Sequence, residues 1–141
     1  MAYESPLPRS VYILGDGLLF DDIIAHMLAS ATRLRVIKRV FASESLFVSE
    51  VLGCRPDVVV VAEPGRYSTD KILGLLSQVP YPTELRIIVM SMEHEIIKIL
   101  DRPAGRNRER AGGPYTIHGL ADWNALIDLV SGKQVQAVQV R

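Results

Sequence analysis

Apolar residues along the chain fall into short bursts separated by stretches with helical spacing. VYIL at 11–14, LRVIKRV at 34–40, DVVVVA at 57–62 and ELRIIVMSM at 84–92 have strand length and are rich in β-branched residues. Residues 18–31, LLFDDIIAHMLASA, put Leu19, Ile23, His26 or Met27, and Ala31 near one helical face. Residues 43–54, SESLFVSEVLGC, read as a helix with Ser43 as N-cap, Leu46, Phe47, Val51 and Leu52 as its apolar face and Gly53 at its end. STDKILGLLSQV at 68–79 is a helix capped by Ser68 or Thr69. EHEIIKILDR at 93–102 reads as a short helix stopped by Pro103. PYTIH at 114–118 reads as a short last strand. LADWNALIDLVSG at 120–132 reads as an amphipathic helix with Trp123, Ile127 and Val130 on one face.

The third and fourth bursts are apolar on both sides of the pleat, which predicts strands covered on both faces, as in a parallel sheet between helices. The alternation of strands and helices predicts an α/β three-layer sandwich with a five-stranded parallel sheet. Functional groups in such sheets gather at the carboxyl ends of the strands. Residues 1–9 form a polar, proline-containing, flexible lead-in, 10–132 the domain, and 133–141 a tail. That tail, KQVQAVQVR, alternates apolar and polar residues and fits either an extension of the last helix or a strand pairing with another chain.

Composition narrows the function classes. A length of 141 residues predicts one domain. Sixteen basic residues balance sixteen acidic ones, so no overall field points to nucleic acid or an anionic membrane. The single cysteine, Cys54, excludes an internal disulfide and a thiolate metal site, and its place at a helix end reads as a packed thiol. No apolar run approaches membrane-spanning length, and the first residues hold no signal core, so a soluble, cytoplasmic protein is expected.

Four segments in order carry a family resemblance. ILGDGLLF (13–20), RPDVVVVAEPG (55–65), LRIIVMSM (85–92) and GGPYTIHGLADWNALIDLV (112–130) resemble the conserved stretches of response regulator receiver domains of bacterial two-component signalling and phosphorelay. The resemblance implies a flavodoxin-like sheet in the order 2-1-3-4-5. It also implies a phosphorylation site of paired acids, an acceptor aspartate, a hydroxyl and a lysine. Such a site works because a carboxylate nucleophile takes the phosphoryl group while a magnesium ion and cationic or hydroxyl donors stabilise its charge. At these places the chain has Gly15 and Asp16, Ala62 followed by Glu63, Ser91, and His118. The nucleophile is absent, one acid of the pair is absent, and the lysine is replaced. The expectation is a degenerate, pseudo-receiver signalling domain without enzymatic activity, cofactor or bound metal, Asp16 being the one weak metal candidate. It would act through protein–protein interaction, with another signalling protein or with itself as a dimer, and the resemblance places that face on Ile96, Ile97, Leu100, Tyr115 and Trp123. With nine residues after Gly132, no DNA-binding domain is expected to follow.

Two rival readings use other features. A small-ligand or anion-binding protein, or an enzyme, would use Asp16, Glu63, Ser91 and His118 in the same cleft. A nucleic-acid accessory protein would use the arginines at 102, 106, 108 and 110, although no aromatic residues interleave with them. Asp16 in a Gly-Asp-Gly turn is suited to bonding its own backbone, and Asp21 and Asp22 to favouring a helix N-terminus. His26, His94 and His118 match no metal-ligand spacing.

Overall fold

The computed structural model describes residues 9–17, 19–30, 34–63, 65–81, 83–91, 96–102, 116–119 and 123–130. The elements are β1 (Arg9–Gly15), α1 (Leu19–Ala29), β2 (Leu34–Val40), α2 (Glu44–Cys54), β3 (Val58–Glu63), α3 (Thr69–Gln78), β4 (Leu85–Ser91), β5 (Ile96–Arg102), β6 (Thr116–Gly119) and α4 (Trp123–Val130). The strands form one sheet in the order β2-β1-β3-β4-β5-β6. The fold is α/β and the order begins 2-1-3-4-5 as expected, but the sheet has six strands rather than five: the strand expected at 114–118 is β6, and the fifth place is held by Ile96–Arg102.

The sheet is mixed, not wholly parallel. β1 pairs in parallel with β2 and β3, and β3 with β4, but β4–β5 and β5–β6 are antiparallel. The segment read as a helix at 93–102 is therefore largely strand β5. Its isoleucines at 96, 97 and 99 are β-branched and favour a pleated surface over a helix. Only residues 92–95 separate β4 from β5. That length suits a hairpin and cannot hold the crossover that a parallel neighbour requires. Register is reinforced by a charge pair: Arg86 and Asp101 are direct partners, and the guanidinium donates twice to the carboxylate at 2.7 and 2.9 Å. That hydrogen bond raises the Arg86 pKa.

Two hydrophobic clusters lie on opposite faces of the sheet. Val11, Ile13, Val58, Val60, Ala62, Ile88, Met90, Ile97 and Ile99 pack against Ile24 and Leu28 of α1 and Leu126 and Val130 of α4. Tyr12, Leu14, Val59, Val61, Leu85, Ile87, Val89 and Leu100 pack against Phe47 and Val51 of α2 and Ile72, Leu73 and Leu76 of α3. The four valines of β3 are all fully buried, as their two-sided apolar character predicts.

Several local expectations shift. The buried residues of α1 are Asp21, Ile24 and Leu28, whereas Ile23 and Met27 are half-buried and His26 is exposed; the Leu19 side chain and Ala31 lie outside the described part. On α2 only Phe47 and Val51 are buried, while Leu46 and Leu52 are exposed. Ser43 caps that helix as expected, accepting from the Leu46 amide. Its end is not at Gly53: the left-handed cap residue is Arg55, at φ 49° and ψ 56°. Cys54 is exposed, not packed. Ser68, rather than Thr69, caps α3.

The expected interaction face is also revised. Ile97 and Leu100 are core residues, buried on opposite sides of the sheet because neighbours along a strand alternate. Ile96 is half-buried. Tyr115 lies outside the described residues, and Trp123 opens α4. No helix among the described residues is long and apolar enough to cross a membrane.

Candidate functional site

The carboxyl ends of β1, β3 and β4 bring together Gly15, Asp16, Ala62, Glu63 and Ser91, as the strand order requires. His118 stands on β6 opposite Ile97, two strands from β4. His26 is exposed in the last turn of α1, and His94 lies outside the described residues. Of the arginine group, Arg102 ends β5 and is buried, which pulls its guanidinium below its usual pKa. Residues 103–115 are outside the described part.

Ala62 and Glu63 point to opposite faces. Ala62 is 3% exposed and packs with the α1 and α4 cluster. Glu63 faces the α3 side and is the register partner of Ser91, which is itself buried. The hydroxyl of β4 therefore stands beside a carboxylate, but that carboxylate belongs to Glu63. Its Oε2 accepts a 2.6 Å hydrogen bond from the Thr69 hydroxyl at the start of α3.

Asp16 reaches across to the β3–α3 loop. Both of its carboxylate oxygens accept from the Arg66 amide, at 2.9 and 3.0 Å, across 50 residues of sequence. The Arg66 guanidinium stands 3.9 Å from the same carboxylate and is largely exposed, so it adds little. Asp21 plays more than an electrostatic part in α1. It is 4% exposed and accepts a 2.6 Å bond from the Gly17 amide. Its carboxylate lies where a side chain at residue 15 would begin: an added Cβ on Gly15 would meet Asp21 Cγ at 2.0 Å. Asp22, its neighbour, points outward to an ion pair with Lys38 of β2.

Tyr67, which sequence reasoning passed over, fills the centre of the site. Its ring is 9% exposed and rests on Phe41 with centroids 5.1 Å apart. Its hydroxyl is shared between the carbonyl of Ala62, at the end of β3, and that of Leu14, at 3.2 Å near the end of β1. Burial, with Asp21, Asp16 and Glu63 nearby, pushes the phenol pKa well above its ordinary value. Gly65 makes room for this ring: a Cβ there would lie 2.5 Å from it, a contact that exists only in the fold and leaves no signal in the sequence.

The carboxylates at this mouth are thus spent on different donors: Asp16 on a backbone amide of the β3–α3 loop, Asp21 on the turn after β1, and Glu63 on Thr69. Among the described residues no group of three or more His, Cys, Asp or Glu is placed to hold a metal ion. No family model, curated protein or solved structure matches the chain.

Proposed function

We propose that the chain is a pseudo-receiver: a non-catalytic signalling module of receiver-like, flavodoxin-like ancestry that acts through protein–protein contact without aspartyl phosphorylation. The supporting observation is the end of β3. The acceptor place holds Ala62, whose side chain is in the core and whose carbonyl is covered by the Tyr67 hydroxyl. A phosphoryl acceptor must be an exposed nucleophile with room for an in-line donor, and neither condition is met at Ala62. Glu63 carries a carboxylate, but it faces the other side of the sheet and is held by Thr69. The antiparallel β5 departs from the receiver pattern and places Ile97 and Leu100 in the core, so these two residues are not part of a contact surface. Incubation with acetyl phosphate and magnesium, read by intact mass, tests this reading. An unmodified chain is expected. A stoichiometric, hydroxylamine-labile phosphoryl adduct contradicts it.

A further inference from the structure

We propose that residues 65–69 form an intramolecular plug, with Tyr67 occupying from within the space that a ligand or partner would enter at the ends of β1 and β3. Two glycines show that the mouth is built around inserted side chains. Gly65 has no side chain where the Tyr67 ring passes, with ring Cζ and Cε1 at 2.5 and 2.6 Å from an added Cβ. Gly65 does not adopt a positive φ, so packing rather than backbone conformation demands the glycine. Gly15 gives way in the same manner to the Asp21 carboxylate from α1.

The plug is fastened on both sides. Asp16 grips the Arg66 amide, Glu63 takes the Thr69 hydroxyl, and Phe41 backs the ring. Loops positioned by a rigid scaffold ordinarily carry binding and catalytic residues; here Arg66, Tyr67 and Thr69 are tied to the chain's own strand ends. The carbonyls of Leu14 and Ala62 become available only when Tyr67 swings out. Anything that engages this mouth must displace the tyrosine first, and its affinity falls by the fraction of time the plug is open. The inference stands on packing and hydrogen bonds rather than on the missing acceptor, so it survives if the pseudo-receiver reading fails and can fail while that reading holds.

Nitration of the full chain with tetranitromethane, mapped by peptide mass spectrometry, reads the exposure of Tyr67. Amide exchange at Leu14–Gly17 and Ala62–Thr69 reads the fastening. In the native chain Tyr67 is expected to nitrate at least about tenfold more slowly than in urea. Gly65→Ala, which removes no hydrogen-bonding group, should expel the ring and raise that rate about tenfold with the fold retained. Tyr67→Phe keeps the ring and should speed exchange at Gly15 and Glu63. Nitration of native Tyr67 at the urea rate overturns the proposal, as does an unchanged rate in folded Gly65→Ala. Should Gly65→Ala fail to fold, Tyr67→Phe decides: exchange equal to that of the native chain overturns it.

Discussion

The two ends of the sheet are closed in similar ways, although only one of them is where α/β proteins place function. At the amino end of the central strands, the buried Tyr81 donates its hydroxyl to the Pro56 carbonyl. Asp57 clasps Ser10 there through reciprocal bonds: the Ser10 amide to its carboxylate and its own amide to the Ser10 carbonyl, each 2.8 Å. The Arg9 guanidinium closes the C-terminus of α4 by donating to the Val130 carbonyl at 3.0 Å. At the carboxyl end, Tyr67 does for Ala62 and Leu14 what Tyr81 does for Pro56, and Asp16 clasps a backbone amide as Asp57 does. The difference is charge. The amino end uses one carboxylate for its clasp, whereas the carboxyl end retains Asp16, Asp21 and Glu63, each given a structural task. An end that in many related architectures is open for chemistry is here finished like the structural end.

The sharpest way to break this comparison is to remove both tyrosines in turn. Tyr67→Ala and Tyr81→Ala each delete a buried aromatic ring and should each cost about 3–5 kcal/mol in urea unfolding. A full cost at Tyr81 with less than about 1 kcal/mol at Tyr67 would show the carboxyl end to be loosely held. Alkaline pH comes next. Burial is the first cause of the raised pKa values of Tyr12, Tyr67 and Tyr81. The unfolded chain loses these protons near the ordinary tyrosine value of about 10 while the folded chain keeps them. Stability is therefore full below about pH 10 and falls as pH rises, by up to about 1.4 kcal/mol per pH unit for each tyrosine. A titration of the unfolding free energy checks this, and Tyr67→Phe should make the decline shallower.

Smaller effects separate the clasps. Asp16→Ala and Asp57→Ala should each cost about 1–2 kcal/mol, since each leaves a backbone amide without its carboxylate. Equal costs support equivalent ends, and a negligible cost at Asp16 contradicts the clasp there. The smallest effect is a gain: Arg55 holds the left-handed conformation in which a Cβ is unfavourable, so Arg55→Gly should stabilise the amino end by about 0.5–1 kcal/mol in thermal unfolding.

Much of the fold is legible in the sequence because periodicity reports burial directly. The valine run of β3 and the two-sided β4 could only be covered strands. β5 was not legible, because Ile96, Ile97 and Leu100 also satisfy a helical spacing. The deciding facts were the β-branched density and the short gap after β4, together with an Arg86–Asp101 pairing visible only once the register is known. At the site, the absence of a nucleophile at Ala62 was plain from the sequence. The roles of Asp21 and Tyr67 were not, because each side chain reaches over a glycine to a strand end that is its neighbour only in the fold. Asp16 shows the same limit: a Gly-Asp-Gly turn predicts a local bond, and the fold supplies a partner 50 residues away.

The most direct test of a closed, non-phosphorylated mouth is an amide chemical-shift titration of the full chain with magnesium and beryllofluoride. The closed mouth predicts no saturable shift at Gly15, Asp16, Ala62–Tyr67 or Ser91. A saturable, magnesium-dependent shift confined to those residues would contradict it.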